Sequence, residues 1–395
     1  MTETAHRTGI RPPLLLVLAL LASVAPFSTD LYLSAFPQMA DDLGVSATSI
    51  QLTLTSFLVG LAGGQLVFGP VSDRLGRRGP LLAGAVLFVV ASVGAVLAPT
   101  IELLIAARFI QGLAGAAGMV LGRAVIADLE RGKAAARAFS LMMIVGGIAP
   151  VVAPLAGSLI VDLVGWRAVL AVLVVLAVVM LLGSWFVVPE SLPPHRRGAQ
   201  RSGAGAAALR SRAFLSPAAT FVFAFSAMMA YISASPFLYQ EVMGLDAVAY
   251  GVLFGVNALG LAAASVAATR LLRVLSTEKV LGLGVAGVVV GAVATLVVSV
   301  AGAPVGWLAV TIFVAVASLG GVMGPGTALA LGAVPGAAGA ASAALGAAQF
   351  GFAAVVSPLV GLAGEQSTVP LGVVMASCAV LAAGAFLAGA RGPRT

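Results

Sequence analysis

The chain has 395 residues, of which 61% are hydrophobic and only 9% are charged, and its mean hydropathy is +1.12. Soluble globular proteins carry about 25% charged residues, so this composition excludes a water-soluble enzyme, a secreted disulfide-stabilised domain and a nucleic-acid-binding domain. The single cysteine, Cys378, has no second cysteine with which to form an internal disulfide. Because a membrane-spanning helix needs about 20 apolar residues, the chain has room for about a dozen spans.

Twelve apolar segments are each long enough to cross a hydrocarbon core of about 30 Å as a helix. Helices are expected because lipid offers no hydrogen-bonding partners to the backbone. The segments, numbered span 1 to span 12 in chain order, cover residues 14–36, 49–71, 80–98, 103–127, 138–161, 167–188, 216–239, 248–269, 280–301, 306–333, 342–363 and 369–390. Span 1 follows Arg7 and Arg11, but it is too long for the apolar core of a signal peptide, so we expect it to be retained.

The positive charges indicate the orientation of these spans. Of 21 Lys and Arg residues, 18 lie in the two tails or in the loops on their side of the membrane, one (Arg167) lies in the opposite loops, and Arg108 and Arg123 lie in span 4. Positive residues collect on the cytoplasmic side, so we expect a multi-pass inner-membrane protein with both termini in the cytoplasm.

The longest polar stretch, residues 189–214, lies in the middle of the chain and is rich in Pro, Gly and Arg. Such a composition is typical of a linker. It predicts an N-terminal six-helix bundle over residues 1–188, a cytoplasmic linker, and a C-terminal six-helix bundle over residues 215–395. Two parallel six-helix halves with a substrate site between them are the plan of many secondary transporters.

Three motifs in the first half resemble signatures of the major facilitator superfamily. The turn after span 2 reads Gly69-Pro70-Val71-Ser72-Asp73-Arg74-Leu75-Gly76-Arg77-Arg78, and span 4 carries Arg108-Phe109-Ile110-Gln111-Gly112. Span 5 carries Gly146, Pro150, Pro154 and Gly157, which looks like the antiporter motif of drug exporters. The resemblance implies an all-α polytopic membrane protein with 12 transmembrane helices in two six-helix bundles.

Four further segments are similar to the bicyclomycin- and chloramphenicol-resistance family of drug:proton antiporters: residues 28–37, 231–241, 253–260 and 339–350. The chain departs from that family at Ser34, where the family usually has Pro, and from many antiporters at Ala153, where they have Gly. This resemblance implies secondary active efflux of small hydrophobic drugs or antibiotics by alternating access, with the proton gradient as energy source, no cofactor and no enzymatic activity. The alternative is a proton-coupled transporter of a metabolite such as a sugar or amino acid.

Asp30 and Arg108 are the candidate proton-coupling residues. Each lies about six residues, or about 9 Å, from the outer end of its predicted span. An ionisable group inside a span costs about 2.5–3.5 kcal/mol and is functional by default, although a fixed ion pair or a hydrogen bond to a helix carbonyl would also explain either residue. We hypothesise that protonation of Asp30 releases Arg108 and that substrate binding restores the opposite state.

Two motifs are predicted to act in conformational change. Gly69, Asp73, Gly76 and Arg77 are expected to form a latch on the cytoplasmic side, although topology and contact with anionic lipid also explain arginines there. Gly146, Pro150, Pro154 and Gly157 are expected to form the interface about which the halves rock. An ordinary kinked helix is the alternative for this second motif.

Polar and aromatic residues within the spans are candidates for the substrate cavity: Gln65, Gln111, Tyr231, Asn257 and Gln349. For each, the alternative is a hydrogen bond between helices, worth about 0.6 kcal/mol. His6 and His195 are too isolated for a metal site, so no metal is expected. The expected partners are a small hydrophobic substrate, protons and the lipid bilayer, with no nucleic acid, and the chain is expected to be monomeric.

Overall fold

A computed structural model describes residues 10–130, 132–197, 209–334, 338–362, 364 and 367–390. In this part of the chain, eleven helices are long and apolar enough to span a membrane, and a bent helix pair at the N-terminus brings the number to twelve. The all-α fold class is therefore confirmed, with one span for each predicted segment.

Most of the spans are longer than their apolar segments. Spans 2 to 6 are the helices Ala47–Leu75, Arg78–Leu97, Ile101–Leu129, Gly132–Val164 and Trp166–Val187. Spans 7 to 9 are Arg212–Phe237, Ala247–Leu271 and Thr277–Ala301. Span 10 consists of Gly306–Ser318 and Gly320–Gly332, span 11 of Ala338–Val356 with the 3₁₀ turn Ser357–Gly361, and span 12 of Val369–Ala390.

Side-chain caps fix where several helices begin. The side chains of Ser46, Ser211, Asp246 and Ser276 accept hydrogen bonds from backbone N–H groups three residues later, at the starts of spans 2, 7, 8 and 9. Such caps satisfy donors that the first helical turn leaves unpaired. The cap at Ser211 explains why span 7 begins inside the predicted linker.

Span 1 is broken, contrary to the single helix expected over residues 14–36. It consists of the helices Pro12–Ala22 and Val24–Asp30, a 3₁₀ turn over Leu33–Ala35, and the helix Phe36–Leu43. The chain bends by 43° at the first break. Pro26 has no N–H to donate to the carbonyl four residues earlier, which weakens the helix at this point.

Span 10 is interrupted at Leu319, between Ser318 and Gly320. Pro325, in the segment Gly324-Pro325-Gly326, lies inside the second helix, six residues after this interruption. Proline breaks the hydrogen bond to the residue four positions before it and strains the preceding turn, so its effect falls on the turn that precedes it rather than on the proline itself.

The loops lie on two faces of the molecule. The terminal face holds Ile10, which donates its N–H to Glu130 over 2.7 Å, and the end of span 12, where the Ala388 carbonyl accepts from Arg212. The opposite face holds the turn between spans 1 and 2 at Gly44 and the turn between spans 5 and 6 at Gly165. Both chain ends of the described structure therefore lie on one face.

Contacts between the two halves of the chain run mainly through span 2 against span 11 and span 5 against span 8. These pairs are equivalent when the halves are exchanged, since span 2 corresponds to span 8 and span 5 to span 11. The bundle boundaries proposed from the sequence stay a prediction. Residues 198–208 of the predicted linker lie outside the described residues.

The interior of the first half depends on the close approach of spans 2 and 4. A Cβ at Gly60 would overlap the backbone carbonyl of Phe109, and a Cβ at Gly112 would overlap that of Phe57. Small residues of this kind allow membrane helices to pack backbone against backbone.

Gly60→Ala should therefore destabilise the protein, by about 1–3 kcal/mol, because the methyl group forces spans 2 and 4 apart. The matched control is Gly63→Ala on the same helix, where the added Cβ would meet just one atom of Leu113, at 4.0 Å. Thermal unfolding in detergent measures both variants. Equal melting temperatures for the two variants would contradict this account of the packing.

Candidate transport site

A cavity of about 670 Å³ lies between the two halves on the terminal side. Its wall comes from spans 2, 4, 5 and 11 and from the segment after span 6. The lining residues are Gln65, Gly69, Ser72, Asp73, Arg77, Val120, Arg123, Ala124, Ala127, Asp128, Phe139, Ser191, Leu192, Pro193, Gly339, Ser342 and Ala343. The volume is in the range that binds small molecules.

The opposite face is closed by direct contacts between the halves. Gln51 donates to the Ser233 carbonyl over 3.2 Å, and Thr48 donates to the Gly361 carbonyl over 3.1 Å. Gln240 donates to the Ser34 carbonyl over 3.2 Å. The structure is therefore open towards the terminal side and closed on the other.

Arg108 is fully buried in the first half, and neutral groups surround its charge. Its guanidinium donates to the Ser28 carbonyl over 2.6 Å and to the Gln111 side chain. It lies 4.3 Å from the Tyr32 ring centroid and 4.5 Å from that of Phe57. No carboxylate in the described residues lies within 4.0 Å of it. The structure thus has the helix-carbonyl contact considered above, and no ion pair with Asp30.

Asp30 is 4% exposed and lies at the end of the second helix of span 1. Its carboxylate accepts a hydrogen bond of 2.8 Å from Thr29. It lies two residues from the Ser28 carbonyl that binds Arg108, and near Tyr250 of span 8. Asp30 therefore sits beside the contact surface of the two halves, at the depth of Arg108. In this conformation it does not line the terminal-side cavity.

The second half contributes a buried aromatic cluster at a similar position. Asn257 donates its amide to the Tyr231 hydroxyl over 2.9 Å and to the Tyr239 hydroxyl over 3.4 Å. Tyr250 lies 6.0 Å from Tyr239, centroid to centroid, and its hydroxyl is 3.3 Å from Ser235. The Asn257 Oδ1 has no partner among the described residues.

The five candidate cavity residues do not form one cavity in this conformation. Gln65 lines the terminal-side cavity. Gln111 is bound to Arg108 and to Ser92 inside the first half. Tyr231 and Asn257 bind each other in the second half, and Gln349 is half-buried in span 11. Their shared role in binding substrate stays a prediction.

The predicted latch residues meet at the terminal end of span 2. Arg77 forms ion pairs with Asp73 over 2.6 Å and with Asp128 of span 4 over 2.9 Å. Burial lowers the pKa of Arg77, but the hydrogen bonds to these two carboxylates outweigh it, so the net shift is upward. Gly76 has φ +95°, and a Cβ there would overlap the Glu190 carboxylate. Gly69 lines the cavity.

Glu190, which follows span 6, binds this turn from the other side. It accepts from the backbone N–H of Arg77 over 2.8 Å and of Leu192 over 2.9 Å. Burial alone would raise the pKa of Glu190, but these hydrogen bonds and the nearby Arg197 outweigh it and lower the pKa. The segment after span 6 is thereby fixed to the wall of the cavity.

Span 5 contacts both span 1 and the second half. A Cβ at Gly157 would overlap the Leu31 carbonyl, so span 5 touches the broken part of span 1. On the same stretch, Ser158 contacts Gly251 of span 8. Pro150 and Pro154 lie inside an unbroken helix, and Gly146 lies on that helix as well. Span 5 thus packs against both Asp30's helix and the second half.

Sequence reasoning missed Tyr250 and Asp128. Tyr250 lies four residues after the cap Asp246, in a position typical of an interfacial tyrosine, and its contact with the first half depends on packing between halves. Asp128 could have been found, because it lies at the terminal end of span 4, where a carboxylate can meet the arginines of the neighbouring turn.

Arg77→Gln should destabilise the protein by about 2 kcal/mol, since it removes charged hydrogen bonds and leaves two carboxylates unpaired. Arg74→Gln, at an exposed position of the same turn, should change stability by less than about 0.5 kcal/mol. Denaturation in detergent measures both. If Arg74→Gln lost as much stability as Arg77→Gln, the net charge of the turn would account for the effect and the ion pairs of Arg77 would not.

The lowered pKa of Glu190 predicts a pH-dependent contribution to stability. Its carboxylate stabilises the folded state above the unfolded pKa of about 4.3, and this stabilisation is lost as the pH falls through the lower folded-state pKa. The melting temperatures of the wild type and Glu190→Gln should therefore differ at pH 7, and the difference should shrink as the pH falls below about 4.3. A difference that is constant across this range would contradict the prediction.

Relatives of known sequence cover almost the whole chain in one case and more than half of it in another. It is 35% identical over 382 residues to the uncharacterised MFS-type transporter YdgK of Bacillus subtilis, covering 95% of each protein. It is 30% identical over 233 residues to the multidrug resistance protein MdtL of Shigella dysenteriae, covering 59% of this chain and 60% of MdtL.

Solved structures share the fold. A D-xylose–proton symporter has a TM-score of 0.75 at 16% identity, covering 94% of this chain and 96% of its own. The nucleoside transporter NupG has a TM-score of 0.72 at 14% identity, covering 95% of this chain and 99% of its own. The family profile of the Major Facilitator Superfamily matches residues 18–358. The chain therefore belongs to the Major Facilitator Superfamily of membrane transporters.

Proposed function

We propose that the protein exports small hydrophobic drugs or antibiotics across the inner membrane in exchange for protons, as a member of the bicyclomycin- and chloramphenicol-resistance family. The observation that carries the proposal is the buried carboxylate of Asp30, which has no cationic partner within 4.0 Å among the described residues. A carboxylate without a fixed ion pair is free to exchange a proton as its surroundings change.

Arg108 has a complementary role in this proposal. Its charge is permanent, and neutral acceptors already hold it in place. It lies at the depth of Asp30 and raises the local potential, which favours loss of the proton once water reaches Asp30. A movement of the Ser28 carbonyl would change the position of Arg108, which donates to it, and of Asp30, which lies two residues further along the chain.

The terminal face is assigned to the cytoplasm by the excess of Lys and Arg in its loops. In that orientation the cavity admits substrate from the cytoplasm, and the closed face points outward. Rocking of the halves about the contacts between spans 5 and 8 and spans 2 and 11 would open the other face and expose Asp30 to the acidic side, where it takes up a proton.

The proposed substrate class rests on the drug-exporter motifs and on the multidrug resistance relative, which is matched over 60% of its length. Much of the cavity wall is apolar, from residues such as Val120, Phe139 and Ala343. A metabolite transporter remains the alternative. The xylose symporter and NupG share 16% and 14% identity, which supports the fold and no substrate.

The proton gradient is sufficient for this exchange. One proton moving down about 100 mV supplies about 2.3 kcal/mol. At about 1.4 kcal/mol per tenfold concentration ratio, that supports about a fifty-fold gradient of a neutral compound. Exchange of a single proton for each molecule is therefore adequate.

Inside-out vesicles with an acidic interior test the proposal. The wild type should accumulate a neutral drug such as chloramphenicol, and an uncoupler should abolish the accumulation. Asp30→Asn should lose the accumulation at least tenfold, because its side chain cannot carry a proton, yet it should still equilibrate labelled drug across the vesicle membrane.

The control is Asp41→Asn, at an exposed position eleven residues further along the chain, which should transport as the wild type does. Accumulation of neutral drug against its gradient by Asp30→Asn would refute the assigned role of Asp30. A wild type that accumulates a sugar or an amino acid, and no drug of a broad panel, would favour the metabolite alternative.

A further inference from the structure

Span 4 carries a second arginine, Arg123, which the coupling scheme does not use. It lies six residues before the terminal end of the helix and lines the cavity between the halves. Its side chain is half-buried, and its Nε donates to the Met119 carbonyl over 3.0 Å. This is its one hydrogen bond to the described residues.

Among the described residues, the remaining donors of Arg123 have no hydrogen-bond acceptor. A guanidinium has five N–H donors and cannot lose its charge. After the bond from Nε, four donors on the two terminal nitrogens remain, and the described residues place no carboxylate within 4.0 Å of them. A charged group at this depth of a membrane protein needs a partner or water, so these donors are available to whatever fills the cavity.

The two carboxylates that line the cavity already have other hydrogen-bonding partners. Asp73 binds Arg77, and Asp128 binds both Arg77 and Ser191. Asp128 also lies five residues from Arg123 towards the terminal face, about 7.5 Å along the helix. The bond to Met119 draws the Arg123 side chain the other way, towards the middle of the membrane.

Part of the cavity wall consists of small and apolar residues. Val120, Ala124, Phe139 and Ala343 are on the cavity wall with Arg123. In contrast to Arg108, which is enclosed by aromatic rings and neutral acceptors, Arg123 presents its charge to a space large enough for a small molecule. A partly apolar wall, with a cation that has no carboxylate within 4.0 Å among the described residues, matches a ligand that has an apolar body and one anionic group.

We propose that Arg123 is a specificity-determining residue that binds the carboxylate, or an equivalent anionic group, of an otherwise apolar substrate in the cytoplasm-facing cavity. This inference rests on the proposed function, because it assigns a substrate class to the same cavity. Hydrogen bonds between charged groups are short and about twice as strong as neutral ones. A ligand with a carboxylate should therefore bind more tightly than one with an uncharged group of similar size.

Three matched fluorescent compounds test the assignment: 1-pyrenebutyrate, the uncharged 1-pyrenebutanol and the cationic 1-pyrenebutylamine. Their binding is measured on the purified full chain in phosphatidylcholine nanodiscs, with the signal of empty nanodiscs subtracted. The wild type should bind the butyrate about tenfold more tightly than the alcohol, and the amine more weakly than either.

Arg123→Gln should reduce the ratio of butyrate to alcohol affinity to about one while changing the affinity for the alcohol less than twofold. Arg123→Lys should retain part of the preference, because it keeps the charge and loses the planar fork. Arg270→Gln, at an exposed position on span 8, should leave the ratio unchanged. Melting temperatures show whether each variant is folded.

Two results would overturn the assignment: no preference for the butyrate in the wild type, or a preference that Arg123→Gln retains. A preference that disappears in phosphatidylglycerol nanodiscs would assign Arg123 to a lipid headgroup and also overturn it. Failure of the proposed function is distinguishable, because it would appear as transport of the neutral alcohol in vesicles that does not depend on the pH gradient.

Discussion

The permanent charge of Arg108 is the constraint around which the first half is organised. A guanidinium buried among apolar helices has to be compensated, and here backbone and neutral side chains compensate it. The Ser28 carbonyl reaches it because span 1 is broken, and Gln111 reaches it from one turn along the same helix. The rings of Tyr32 and Phe57 cover its faces.

This arrangement has a consequence for Asp30. If Asp30 neutralised Arg108 in a buried ion pair, separating the two would leave an uncompensated charge, which is costly. Because Arg108 is held without it, the charge of Asp30 can change while the bundle stays intact. The same break in span 1 therefore provides both the acceptor for Arg108 and the position of Asp30 next to the second half.

The contacts between the halves are suited to rocking. Gly251 packs on Ser158 in one pair of spans, and Gly346 packs on Gln65 in the equivalent pair. Glycine at such contacts lets helices approach closely without interlocking long side chains. On the opposite face the halves are joined by single hydrogen bonds to backbone carbonyls, as from Gln51 and Thr48. Such bonds would be exchangeable for water in the rocking that we propose.

Much of this fold follows from local rules that the sequence displays. Apolar length fixes each span, and caps such as Ser211 fix where helices begin. The equal depth of Asp30 and Arg108 follows from counting residues along two helices. The partners of Arg108 cannot be predicted in this way, because a residue count does not say which face of each helix packs against which neighbour.

Packing between helices accounts for the other differences. Helix packing brings Gln111 within hydrogen-bonding distance of Ser92 and places Tyr250 next to the first half. Neither contact produces a periodic pattern in the sequence. The break at Ala22 was in principle visible, because Pro26 lies four residues later, but an apolar run with a proline often continues as a kinked helix. The unbroken span 5, with Pro150 and Pro154 inside it, is such a case.

Proton release on substrate binding tests the central claim most directly. Purified protein in weakly buffered detergent solution, with a pH indicator, should release close to one proton for each substrate molecule bound near neutral pH. Asp30→Asn should bind the same substrate and release none. Release of an equal number of protons by Asp30→Asn would show that another group carries the proton and would contradict the account.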